Sequence, residues 1–366
     1  MLYLKALTAV TGLVASATAA TLPRSFSQTK DNGFPKPSAQ EILGISKEAG
    51  GKLPPGSLPT GLSPTSITTL QLIAFNELFE VAYFSSLLSN LTLNLDGYQI
   101  PSQAQTIEVV KAIRAQEQLH ALGALAILET NNAFQPSSCE YAAPVANFDD
   151  AVNLAEVFTA VVLGALQGAN FNFANDAAAV PLVPLISSII GQEGEQNGAY
   201  RQFLQRIPSE SPFLTAVPAP FAFSALQGFV VPGSCPYPLS NINLPIFPPL
   251  SVNGGPVALL QPGDQALTLS ADLSSSEAAK AYVGGNGEGL FATFVTGQQA
   301  PYSVPVQSVT WSGSVVTFQA TFPYTDLVAH GFSHVSLTTS NNFTDVNSIP
   351  GATLAAPGVI QVNNAV

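Results

Sequence analysis

The sequence predicts a multidomain α and β chain, a four-helix bundle followed by a C-terminal β-sandwich. Three observations carry this reading. Between residues 65 and 208, apolar residues recur at helical spacing in four long segments. After residue 256 the spacing changes to two, as in half-buried strands. Between them, eleven prolines fall in residues 208–256, where neither period survives.

The elements follow in order. Residues 1–20 open "MLYLKALTAVTGLVASATAA", with Lys5 ahead of an apolar stretch and small residues at Ala17, Ala19 and Ala20. That is the pattern of a secretory signal peptide, too short for a membrane anchor. Residues 21–64 are rich in Pro, Gly and Ser without a sustained period, and an extended arm is expected there. The first helix is "TSITTLQLIAFNELFEVAYFSSLLSNL" from Thr65, with Ser or Thr available as its cap. Ser102 opens the second, which runs through "RAQEQLHALGALAILET". Asp149 and Asp150 start the third, placing acids at the favourable end of the helix dipole. The fourth runs from about Pro184 and stops before Pro208, weakened by Gly191, Gly194 and Gly198.

The stretch 209–255 is expected to be neither helix nor central strand, and to wrap the bundle or link the two parts. From 256 to 366, "QALTLSADL", "VTWSGSVVTFQATF" and "HVSLTTS" alternate between Gly, Asn and Pro turns, which gives the sandwich its strands.

Composition narrows the function. Only 9% of residues are charged and the net charge is −12, which argues against nucleic acid and anionic membranes as partners. Cys139 and Cys235 are the two cysteines, and in an oxidising compartment one disulfide between them is the economical reading. Asn90 and Asn342 head glycosylation sequons. Leader, cysteines and sequons agree on a secreted chain, with the extracellular medium, cell wall or matrix as its surroundings.

Against this sparse charge, several acids are misplaced. Glu77 and Glu80 are the only charges between Lys52 and Asp96, Glu156 the only one between Asp150 and Asp176, and Glu193 and Glu195 the only ones between Asp176 and Arg201. Each helix thus carries a carboxylate near its middle in apolar surroundings. Such a group must take up a proton, find a partner or bind a cation. Glu117 and His120 stand three apart, so both reach the same side of their helix. Hard oxygen donors with an imidazole suit iron or manganese.

This pattern resembles the ferritin-like di-metal bundles, which take a Glu from helices 1 and 3 and a Glu-x-x-His from helices 2 and 4. The resemblance implies Glu77, Glu117, His120, Glu156 and Glu193 as metal ligands, with Gln196 standing where the last histidine belongs. A neutral amide is a poor ligand beside imidazole. A lopsided di-metal site, a single metal on Glu117 and His120, and a lost site replaced by a hydrogen-bonded network all remain open, with Glu80 or Glu195 as stand-in ligands. Leader, bundle and β-rich tail together look like the secreted fungal ferritin-like proteins tied to stress response and late sexual development.

Other candidates carry less. His330 and His334, four apart in "HGFSH", read as surface histidines at a strand entry. Tyr83 and Tyr200 read as core tyrosines near the acids. No G-x-S-x-G is present, and "YVGGNGEGLF" reads as a turn. Two functions follow from different classes: a stress- or development-linked extracellular protein that keeps the fold, and an iron- or manganese-dependent oxidoreductase acting on peroxide or oxygen.

Overall fold

The computed structural model describes residues 24–28 and 31–363; the expected signal peptide lies outside the described residues. The four long helices are α2 (Pro64–Thr92), α3 (Gln103–Thr130), α4 (Phe148–Ala174) and α5 (Leu182–Phe203), once β1 (Arg24–Ser27), α1 (Ala39–Ala49) and β2 (Glu140–Ala143) are numbered in chain order. Ser63 caps α2, its hydroxyl accepting from the Ser66 amide at 3.2 Å, and Pro64 takes the first turn, where a missing N–H costs nothing. Asn147 caps α4 through the Asp150 amide at 2.8 Å. Both α2 and α4 are long and apolar enough to cross a membrane, yet 83% and 78% of their most apolar windows are buried. Their apolar faces are spent inside the protein, α2 chiefly against α3, and α4 against α5 and the strands.

The bundle core has two apolar clusters at different heights. One gathers Phe79, Tyr83, Phe84, Val110, Ile113, Phe158 and Tyr200. The other gathers Leu70, Ile73, Leu128, Leu166, Phe173, Leu182 and Ile189. Between these heights lie residues 77–80 of α2, 117–120 of α3 and 193–196 of α5, where the polar residues collect.

The arm is not simply extended. Strand β1 pairs antiparallel with β2, and α1 packs on α3, with Ile45 against Ala115 and Leu119. A capping box starts α1: the Ser38 hydroxyl accepts from the Glu41 amide, and the Ser38 amide donates to the Glu41 carboxylate at 2.7 Å. The segment 209–255 also departs from expectation, because it contains a helix, α6 (Ala219–Gln227), with Pro220 in its first turn. Proline is tolerated in that turn, so proline density did not forbid a helix beginning there. Phe221 and Phe223 of α6 are fully buried. Cys139 and Cys235 form a disulfide 96 residues apart, tying the approach to β2 to the proline-rich segment.

The remaining strands are β3 (Ser251–Val252), β4 (Val257–Leu260), β5 (Gln265–Asp272), β6 (Phe291–Thr296), β7 (Tyr302–Pro305), β8 (Gln307–Ser312), β9 (Val315–Phe322), β10 (Gly331–Thr338) and β11 (Thr353–Val362), with the short helix α7 (Tyr324–Leu327) before β10. They form a five-stranded sheet in the order β4-β11-β10-β6-β7 and a four-stranded sheet in the order β3-β5-β9-β8. Among the described strands only β4 and β11 pair in parallel. Leu267 and Leu269 of β5, Phe318 of β9, Phe294 of β6, Val335 of β10 and Ile360 of β11 share the core between the sheets. The Gly-rich "YVGGNGEGLF" is the connection into β6, as expected of a turn.

Strands β10 and β11 are buried on both faces, and the alternation seen in β5 and β9 does not extend to them. Their outer face meets the bundle: Phe332 and Val359 pack with Val157, Ala160 and Val161 of α4 and Phe221 of α6. His334 therefore is not on the surface. It is fully buried, its Nε2 3.0 Å from the Ala216 carbonyl and its ring beside Phe221 and Phe332. His330 is half-buried against the Tyr324 hydroxyl. Of the sequons, Asn342 is exposed in a loop and Asn90 is half-buried in α2.

Candidate metal centre

Three helices bring four of the expected residues together. One donor atom each from Glu77 on α2, Glu117 and His120 on α3, and Glu193 on α5 fall within 4.8 Å of one another. The imidazole Nδ1 of His120 is 2.9 Å from Glu117 Oε2, 3.6 Å from Glu77 Oε2 and 3.8 Å from Glu193 Oε1. The three carboxylates are buried, and His120, with 13% of its side chain accessible, is the most exposed group of the cluster among the described residues.

The electrostatics are those of acids packed without enough counter-charge. Burial raises Glu77 to about 7 and pushes Glu193 well up, the charges of neighbouring glutamates adding to the effect. Burial works against a charged His120, but Glu117 and Glu77 beside it outweigh this and hold its imidazole well above the ordinary value. Among the described residues no lysine or arginine pairs with the cluster.

Gln196 is tied into hydrogen bonds beside the cluster. Its amide nitrogen donates to Glu117 Oε1 at 2.5 Å and to Gln116 Oε1 at 3.1 Å, while its oxygen accepts from the Tyr200 hydroxyl at 3.4 Å. It occupies one Glu117 oxygen and leaves the other facing His120. Gln192 also donates to Gln116, at 3.0 Å. A hydrogen-bonded network at Gln196 is among the expected outcomes, but the part of Gln116 and Gln192 is not; its signal is the recurrence of Gln at 116, 192 and 196 beside the glutamates of the two helices.

Glu156 is not in the cluster, which corrects its expected place as a ligand. Arg201 Nη1 donates to its Oε1 at 2.5 Å, Arg206 Nη1 to its Oε2 at 3.2 Å, and Gln361 of β11 adds a bond to Oε1 at 2.8 Å. Arg201 and Gln361 also both reach Glu210, at 2.7 and 2.8 Å. The acid of α4 is thus a buried ion-pair centre between bundle and sandwich. Sequence spacing shows that Glu156 is buried, but not that an amide 205 residues later would claim it. Glu195 is exposed and offers nothing to the site. Tyr83 donates to the Ala151 carbonyl at 2.7 Å and lies among core aromatics, whereas Tyr200 touches the site through Gln196.

The donor set fits a hard divalent cation. Both oxygens of Glu77 and both of Glu193 are buried without a hydrogen-bond donor, an arrangement that is costly unless a cation or proton completes it. Oxygen-rich donation with one imidazole is a set that could hold a metal ion.

The sequence of the bundle is informative beyond its ligands. Residues 66–206 match the family model of the ferritin-like domain. No curated protein matches the chain. The helical part is therefore a ferritin-like domain, and a β-sheet region follows it.

Proposed function

We propose that this is a secreted ferritin-like protein that holds iron or manganese between Glu77, Glu117, His120 and Glu193. The observation that carries the reading is the pair of donor-free, fully buried carboxylates of Glu77 and Glu193 beside the His120 imidazole. A bound ion of this kind supplies Lewis acidity and one-electron redox chemistry. The chain's own residues have distinct tasks. Glu77 and Glu193 present free oxygens from opposite helices. Gln196 fixes Glu117 so that one oxygen stays directed at His120, and His120 guards the accessible edge.

Secretion is supported by the leader-like start and by the disulfide, and the exposed Asn342 is the more accessible of the two glycan acceptors. The further likeness to fungal proteins of stress response and sexual development rests on the order of leader, bundle and β region. It assigns a setting, the cell wall or matrix, rather than a reaction.

A second reading, an oxidoreductase acting on peroxide or oxygen, draws on one observation. A cavity of about 30 Å³ reaches Glu77 between α2, α4 and α6, lined by Leu72, Val162, Leu166 and Ala222. That is room for a molecule of two heavy atoms.

Protein secreted by its native host and analysed by elemental mass spectrometry tests the proposal. Near-stoichiometric iron or manganese is expected, lost in Glu117→Gln and in His120→Ala. Metal-free protein that also fails to take up either ion on titration overturns it.

A further inference from the structure

We propose that residues 50–62, between α1 and α2, are a strap across the mouth of the metal centre, and that divalent cations enter and leave when it lifts off α3. The inference rests on the reading of Glu77, Glu117, His120 and Glu193 as a metal site. The strap lies ahead of residues 66–206, the part of the chain that matches the ferritin-like model.

Its course along α3 is set by three contacts. At one end the Gln116 amide donates to the Ala49 carbonyl at 3.3 Å. Next, Leu53 lies over Gly123, its Cδ2 3.6 Å from where a Cβ would stand. At the far end Asn131 donates to the Pro59 carbonyl at 2.9 Å and accepts from the Leu62 amide at 3.3 Å. With about 3.6 residues per turn, positions 116, 120 and 123 fall within about 60° of one another on α3. His120, the most exposed group of the cluster, therefore sits between the first two contacts, on the stripe that the strap follows.

The strap is made to lift. Gly50 and Gly61, at its two ends, hold φ of 75° and 74°, where glycine turns freely. Residues 52–60 make no backbone–backbone hydrogen bond among the described residues, and of them only Leu53 and Pro59 are half-buried. Such a segment opens at a small fraction of the global stability. The chemistry of the two approaches also favours this one. The cavity that reaches Glu77 between α2, α4 and α6 is about 30 Å³ and walled mainly by apolar side chains such as Leu72 and Val162, too narrow and too apolar for an ion with its water shell. The edge between α3 and α5 is polar instead. Gln116 accepts from Gln192 at 3.0 Å and from Gln196 at 3.1 Å, and the Gln192 Oε1 is buried without a donor. That stranded amide oxygen gives an entering cation a ligand to exchange for a water.

The test compares the native protein with Asn131→Ala, which removes both latch bonds, and with Leu53→Ala, which removes the side chain over Gly123; circular dichroism checks the folding of each. Manganese(II) uptake by the metal-stripped full chain is timed by the loss of the free-ion electron paramagnetic resonance signal, and release is timed into excess chelator. Losing two ordinary hydrogen bonds is expected to raise both rates about tenfold with Kd unchanged, because a strap speeds passage in both directions alike. In the metal-stripped protein, acylation of His120 by diethyl pyrocarbonate, read by mass spectrometry, is expected to accelerate by a similar factor while His330 in the sandwich keeps its rate. Unchanged rates in both variants, or a weakened Kd with unchanged uptake, overturn the inference and leave the metal site in place. No manganese bound at equilibrium overturns the metal reading, and the His120 acylation rates then decide whether the strap covers that edge. If Asn131→Ala does not fold, Leu53→Ala decides the comparison.

Discussion

Replacing Arg201 by methionine tests how strongly the bundle and the sandwich depend on their shared ion-pair centre. Arg201 is 2% exposed and makes bonds to Glu156, Glu210, Asn363 and the Ile207 carbonyl, the last at 2.6 Å. Methionine fills comparable space but leaves two carboxylates, one wholly buried and one with 13% of its side chain accessible, without their common donor. Breaking a buried pair from one side costs about 3–5 kcal/mol. Arg206 remains on Glu156 at 3.2 Å and Gln361 on both acids, so the lower end, about 3 kcal/mol, is expected. Urea unfolding gives the readout twice: far-ultraviolet circular dichroism reports the helices, and Trp311, the single tryptophan, lies on β8 and reports the sandwich. Both transitions should move to lower urea, and Arg201→Met combined with Glu156→Gln should recover part of the loss, because the charge left unpaired is gone. A loss below about 1 kcal/mol, or a shift confined to one probe, would refute the claim that this cluster joins the two parts.

Three further outcomes are expected. Gly164→Ala should destabilise by about 1–2 kcal/mol in thermal unfolding despite the better helix former, because a methyl there overlaps the Thr215 carbonyl and the Val217 side chain. In the metal-stripped protein, Glu77 has a folded value of about 7 against an ordinary 4.5; the stability it adds is complete below pH 4.5 and lost as pH rises through 7, about 3 kcal/mol in all, and Glu77→Gln should flatten that part of the urea-midpoint profile. His334 works in the opposite direction: burial lowers it to about 4, so its contribution is intact above about pH 6.5 and falls away toward pH 4. His334→Phe should abolish that acid-side loss.

Much of the site was legible because charge is so scarce in the helices. Glu77, Glu117, His120 and Glu193 stand out as ionisable groups on helices with few charges, and the spacing of Glu117 and His120 puts both on one face; the bundle itself brings the three helices to one height. The same signal misassigned Glu156, since burial marks an acid as needing a partner without saying which partner. Its arginines lie on the other side of the α4–α5 connection and its amide on the last strand, and no local pattern links them. Helix α1 was hidden by the Pro- and Gly-rich residues around a short segment, although Ser38 and Glu41 carry its start signal. Helix α6 was hidden by treating proline as a breaker everywhere, when its first turn accepts one. His334 looked exposed because alternation describes a strand with one wet face, and β10 has none.

The contact between Glu156 and Gln361 also sets a timetable. The ribosome delivers Glu156 and then more than two hundred residues before the amide that covers it, which at about 5–20 residues per second is roughly 10–40 s. During that interval the nascent helices have Arg201 and Arg206 available but an uncovered apolar flank at Val157, Ala160 and Val161. A helper that shields exposed hydrophobic surface would find its substrate in that window, and the arrival of β11 would release it.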